Sequence, residues 1–314
     1  AGTYYENINF NGKSISLIGE DRADTIIDGG QNGSVIISEY NQVMISSLTI
    51  SNGNANIGGG ISIQDAYISI DNCIILNNSA NKGGGIYFYE DETEPGQGID
   101  GGISISNSIF SNNQALVSHG GGLYSYRTPA GINIESSSFN NNSSVGNGGA
   151  VYMHDQDTPH DHYLPSSITD SNFSDNSSGS EGGYYSGGAI YIEQINDIVV
   201  NNSSISNNSS WIGGGLKSVH SNIELNDVAI TNNNSSDSGA GIHSYYSNIT
   251  INNSEISDNE ATTEGGGITA GGSSTQTHSL KINNTTIDNN SSGYQGAGLW
   301  LIHEGDIQIN DSYI

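Results

Sequence analysis

The sequence predicts an all-β chain wound as a single-stranded parallel β-helix, a solenoid. Three observations predict it: few helix formers, a repeat of about 25 residues, and short period-two runs inside each repeat. Of 314 residues 43 are Gly and 4 Pro, hydrophobic residues make up 33% and charged ones 12%. Ser and Asn fill the difference, and Ile greatly outnumbers Leu, which favours strand over helix. Regularly spaced Ile, Tyr and Phe separate the chain from disordered Gly/Ser/Asn-rich sequences.

The repeat carries two marks. A Gly-Gly-Gly/Ala-aliphatic tetrad, with small variations, ends at Ile61, Ile86, Leu123, Val151, Ile190, Leu216, Ile242, Ile268 and Leu299. Spacings of 25, 37, 28, 39, 26, 26, 26 and 31 residues give a unit of about 25–26 with insertions. Between tetrads, Ile/Phe-x-x-Asn ends at Asn78, Asn113, Asn142, Asn176, Asn208, Asn233, Asn259 and Asn290. Runs such as Ile68-Ser-Ile70 lie between the two marks, so three short strands are expected per rung, each pairing with the next rung at ~4.8 Å. One rung cannot bury its apolar face, so the core must form by stacking. The aliphatic ends are expected to make one buried column, the Asn residues an internal amide ladder, and the paired glycines corners of positive φ. Residues 1–57 lack the tetrad but keep strand runs at Ile8–Phe10, Ile15–Ile18, Thr25–Ile27, Val35–Ile37 and Val43–Ile45, which read as two to three earlier rungs. The whole chain, 1–314, is thus one domain of about 11–12 rungs and ~55 Å, with nine tetrad rungs over 58–314 and insertions at 90–101 and 154–166.

The opening Gly2-Thr-Tyr-Tyr-Glu-Asn-Ile8, with Ser16–Glu20 and Thr25–Gly29, resembles the start of pectin-lyase-like right-handed β-helix proteins. The paired Gly-Gly-Ala/Gly-Ile and Phe-x-x-Asn repeats are similar to those of polymorphic outer-membrane proteins and bacterial secreted β-helix repeat proteins. The resemblance implies the right hand of the solenoid and a fold shared by lyases, hydrolases, esterases, adhesins and inert stalks, and so specifies no activity. The Asn-x-Asp, Asp-Asp, Gly-His-Gly and Arg-x-Lys signatures of β-helix polygalacturonases are missing; Ser118-His-Gly120 is the nearest and runs straight into a tetrad.

A net charge of −27 with six basic residues excludes partners that need clustered Lys and Arg, namely nucleic acid and anionic membrane surfaces. No apolar run is long enough to insert in a membrane. Lone Cys73 forms no internal disulfide and reads as a small buried hydrophobe. An acidic surface and the resemblance together point to a secreted or cell-surface location, in a bacterium. The starts and stops at Ala1 and Ile314 suggest trimmed ends of a longer secreted protein.

Candidate chemistry gathers where the two insertions leave the tetrad strand, two rungs apart and about 10 Å from each other. No cofactor is required, but Asp155, Asp157 and Asp161, with Glu92 or Glu94, form an acidic rim whose hard oxygens suit Ca²⁺. His154, His160 and His162 offer a borderline metal instead, and a solvated acidic loop accounts for the same residues. After each inward aliphatic the next residue points outward. This first outer column holds Tyr87, Tyr124, Tyr152 and Tyr191, followed by Lys217 and His243. The second, two residues on, holds Tyr89, Tyr126, His154 and Glu193. Six exposed tyrosines with His154 and Glu193 suit stacking on sugar rings; a structural aromatic ladder explains the same rows.

The reading that follows is a stalk or adhesin segment presenting this Tyr- and carboxylate-rich patch to extracellular polysaccharide or a host or cell-surface glycan. The alternative is a polysaccharide lyase or glycoside hydrolase, with Asp155, Asp157 and Glu193 as acids or metal ligands and Arg127 as substrate anchor or base. A purely structural filament, self-associating head to tail through its rung edges, is the third.

Overall fold

The computed structural model describes residues 1–91, 101–155, 164–179, 185–272, 278–302 and 305–314. It is a parallel β-helix without a helix among the described residues, and every ladder between its strands runs parallel. Four strands make a rung where the repeat suggested three. In the first tetrad rung these are Ile61–Gln64 (sheet I), Tyr67–Asp71 (sheet II), Ile74–Leu76 (sheet III) and Ser79–Lys82 (sheet IV). Sheet IV is mostly two residues per rung, as at Gln114–Ala115 and Ser143–Ser144, too short to show a period. Sheets I, II and III each stack eleven strands and sheet IV nine. Residues 1–57 supply two of these rungs, including Thr25–Asp28, Ile36–Glu39 and Gln42–Ser46.

Corners are set by single residues. Asn72 (φ 53°) turns sheet II into III, and Asn77 (φ 56°) turns III into IV. Asn and Asp tolerate this left-handed conformation better than other side chains. The residue before each ladder Asn is therefore Asn or Asp throughout, from Asn77 and Asn112 to Asp258 and Asn289. Only the first glycine of a tetrad meets the expectation of positive φ. Gly83 has φ +62°, and a Cβ there would fall 2.3 Å from the Ile86 carbonyl oxygen. Gly84 is needed for another reason: its Cβ would meet the Gln114 backbone of the next rung at 2.4 Å.

Both expected columns form. Ile61, Ile86, Leu123, Val151, Ile190, Leu216, Ile242 and Ile268 are fully buried, and Leu299 is half-buried because no rung covers it. Beside them Phe110, Phe139 and Phe173 stack with centroids 4.4 and 5.1 Å apart. In the amide ladder Asn113 Nδ2 donates to Asn142 Oδ1 at 2.9 Å and to the Ile75 carbonyl at 2.9 Å. Asn142 Oδ1 also accepts the Asn113 backbone N–H at 3.1 Å, so each buried amide is saturated. The same pattern runs rung by rung to Asn290, half-buried at the end. Cys73 is buried, and burial raises its thiol to about 11.

Candidate functional site

The outer face of sheet I has the register the period of two required. Tyr87, Tyr124, Tyr152, Tyr191, Lys217 and His243 follow one another in the first column, and Tyr89, Tyr126, His154 and Glu193 in the second. Parallel in-register strands bring successive side chains to rung spacing, so the rings stack. Centroids lie 5.1, 5.0 and 5.3 Å apart along Tyr87–Tyr124–Tyr152–Tyr191 and 5.8 Å apart for Tyr89–Tyr126.

Exposure departs from the expectation of six exposed tyrosines. Tyr124, Tyr152 and Tyr191 are buried, and Tyr87 is half-buried. Pointing outward is not exposure when each ring face is covered by the ring of the next rung. A second cover comes from the bend before the Gly120 tetrad. Leu116 N and Ser118 N donate to the Ala80 and Asn81 carbonyls, and His119 stacks on Tyr152 at 4.6 Å. His119 Nδ1 accepts the Asn147 N–H at 2.7 Å, which fixes a neutral tautomer with the proton on Nε2. Burial, and next the charge of Lys82, depress this imidazole to about 4. Burial likewise raises the phenols of Tyr124, Tyr152 and Tyr191 well above their usual value.

The half-exposed surface is the second column. Tyr89 and Tyr126 are both half-exposed, and the Arg127 guanidinium lies 5.2 Å from the Tyr126 centroid. His154 sits edge-on to Tyr126 at 5.2 Å. Its Nε2 meets Gln194 Oε1 at 2.9 Å and its Nδ1 the Tyr152 hydroxyl at 3.0 Å. With an amide oxygen on Nε2, the neutral ring carries its proton there and accepts the Tyr152 O–H on Nδ1. Glu193 Oε2 lies 3.6 Å from His154 Nδ1 and accepts the Tyr191 O–H at 3.2 Å. Both ring nitrogens are therefore committed, and His154 orders the face.

The first insertion is anchored at its root. Asp65 Oδ1 accepts the Asp91 N–H at 2.6 Å, and Glu90 Oε2 accepts the Gly101 N–H at 2.7 Å. Asp155 is half-buried, and its N–H donates to the Glu193 carbonyl. Of the candidate metal ligands, Asp157, Asp161, Glu92 and Glu94 lie outside the described residues, as do His160 and His162. Among the described residues no group of three His, Cys, Asp or Glu side chains is placed to hold a metal ion. Sequence reasoning missed His119, Gln194 and Lys82, whose ammonium lies 5.8 Å from the Tyr124 centroid. A cation or imidazole one rung away leaves no pattern along the chain; only the strand register brings it over a tyrosine.

A family model described as the Chlamydia polymorphic membrane protein repeat matches residues 136–153, which run from an Ile/Phe-x-x-Asn strand through a Gly-Gly-Ala tetrad. No curated protein sequence matches the chain. Two solved structures are similar in fold. The A-module of Azotobacter vinelandii mannuronan C-5 epimerase AlgE4 has 14% identity and a TM-score of 0.43, covering 100% of this chain and 87% of that one. The AlgE6 A-module of the same organism has 12% identity and a TM-score of 0.44, covering 95% of this chain and 82% of that one.

Proposed function

We propose that the chain is an extracellular, cell-surface β-helix segment of stalk or adhesin type that binds glycan on the outer face of sheet I. The observation that carries this reading is the half-exposed Tyr89–Tyr126 stack, flanked on the same face by a buried tyrosine ladder and bordered by Arg127, His154 and Glu193. A ring with a phenol tip offers an apolar surface to a sugar face and a hydrogen bond to its hydroxyls. The rigid ladder beside it means little conformational freedom is lost on binding. The polymorphic membrane protein repeat supports a surface location. Calcium bridging Asp155, Asp157, Asp161, Glu92 and Glu94 belongs to the same reading: millimolar Ca²⁺ then raises the melting temperature by linkage, and no shift removes calcium from it.

The test uses Tyr89→Ala and Tyr126→Ala, which remove the half-exposed rings and leave the buried ones. Retention on a glycan array or on polysaccharide-coated surfaces is expected to fall at least about tenfold, with β-sheet circular dichroism unchanged. If no glycan is retained by the parent chain, or the variants bind as well as it does, the reading fails. A second reading, a polysaccharide lyase or glycoside hydrolase, is favoured by the Tyr152–His154–Gln194 hydrogen-bond chain beside Glu193. Of these groups the His154 imidazole and the Glu193 carboxylate are the ones that general acid–base chemistry could use, once substrate displaces a partner of the ring. Release of reducing ends or unsaturated uronates, abolished by Glu193→Gln or Asp155→Asn, would put that reading first.

A further inference from the structure

Lys217 lies on the same outer face of sheet I, beyond the Tyr89–Tyr126 stack and outside the proposed glycan contact. It follows Tyr191 in the first column and precedes His243, paired in register with both. Only 7% of Lys217 and 6% of His243 is exposed. Its Nζ is hydrogen-bonded to His243 Nδ1 and lies 5.5 Å from the centroid of the more exposed Tyr245 ring. No carboxylate among the described residues forms an ion pair with it; Asp237 and Glu193 act on it only from a distance.

A buried ammonium without a carboxylate is strongly disfavoured, and the available relief is loss of a proton. Burial accordingly lowers the amine to about 7. His243 is held well below the usual imidazole range, by burial first and the Lys217 charge second, and stays neutral. In the tautomer with the proton on Nε2, His243 Nδ1 accepts a Lys217 N–H and leaves the amine lone pair uncommitted. A desolvated neutral lysine is a nucleophile; a surface lysine, protonated and hydrated, is not.

We infer that Lys217 is a covalent capture site for small aldehydes, which it takes up as an imine. The lone pair attacks the carbonyl carbon, a C–N bond forms, and the C=O π pair moves to oxygen. His243 Nδ1 receives the proton of the attacking nitrogen and returns it to the oxygen, giving a neutral carbinolamine. Loss of the hydroxyl and the remaining N–H hydrogen as water then leaves C=N. Amine and aldehyde give imine and water, with no oxidant or reductant. Only 7% of Lys217 is exposed, beside the 37%-exposed Tyr245 ring, so under this inference capture is confined to small carbonyl compounds entering past that ring. The inference does not depend on glycan binding.

Lys13, Lys82 and Lys281 serve as internal controls in the same chain. The folded protein is treated with formaldehyde and cyanoborohydride, which traps imines as alkylated amines, and lysine modification is followed by peptide mass mapping. Near neutral pH Lys217 is expected to react about tenfold faster than the three controls, the margin narrowing as the pH approaches 10 and the controls deprotonate. His243→Leu should slow Lys217 alone. If the controls are modified while Lys217 stays intact until urea unfolds the chain, or if Lys217 reacts no faster than they do, the inference is overturned. Glyceraldehyde reacting at Lys217 more slowly than formaldehyde, relative to the controls, supports entry past Tyr245; an equal ratio counts against that route.

Discussion

At the scale of the residue, burial of the tyrosine ladder sets how the chain responds to alkali. The folded state holds the protons of Tyr124, Tyr152 and Tyr191 where an unfolded chain, with phenols near 10.0, releases them. A raised folded pKa gives stability that is intact below about 10 and lost as pH rises further. Absorbance at 295 nm is expected to show these three phenols ionising only with unfolding. A single smooth phenol titration around pH 10 would show the ladder open to solvent. His119 has the opposite sign. Its folded value near 4 against an unfolded 6.5 means that the unfolded state binds the extra proton between them. Stability therefore falls as pH drops through that window. Replacing His119 with Phe should flatten the fall relative to the parent in urea titrations at pH 4 to 7. An unchanged slope would mean that this imidazole is not buried.

At the scale of the element, the strands are short and pair only through stacking, so the polar ladders at their corners carry much of the register. Asn176 accepts two bonds from Asn142 and donates to Phe139 O and Asn208 Oδ1. Asn176→Ala strands several buried groups, each worth about 1–3 kcal/mol, so a loss of at least about 3 kcal/mol is expected from denaturant midpoints. Asn290→Ala, with no further ladder amide stacked on it in the structure, should cost clearly less; equal costs would mean that the ladder does not act through its neighbours. This ladder was legible in the sequence because an identical residue recurs at a fixed offset from an aliphatic one. A second ladder was not: Ser108, Ser137, Ser171 and Ser203 each accept a backbone N–H from the preceding rung. In a chain so rich in Ser these four do not stand out, and only their burial in the corner identifies them.

At the scale of the whole molecule, 33 carboxylates face six basic side chains on a solenoid whose rungs contact only their neighbours. Like charges in adjacent rungs repel, and salt screens them, with a Debye length of about 10 Å at 0.1 M falling to about 3 Å at 1 M. The melting temperature is expected to rise with NaCl from low ionic strength to about 0.5 M. A flat or falling curve would show that the carboxylates are spaced too widely to repel.

The sequence by itself determined the winding. A 25-residue unit with an inward aliphatic, an amide and a glycine at fixed places has one way to bury its apolar face, which is to stack in register. It also determined which side chains share a column, because alternation within a strand and identity between rungs are both properties of the one-dimensional pattern. Tertiary structure decided what those columns are. Whether Tyr124 is a ligand platform or a buried ring depends on the rings above and below it, on His119 folded over from the tetrad bend and on Lys82 one rung away. The neutral pairing of Lys217 with His243 likewise arises only when two tetrad strands lie side by side. Burial and proton affinity are set by everything that surrounds a group in space, and the order of residues along the chain does not contain that until the rungs are stacked.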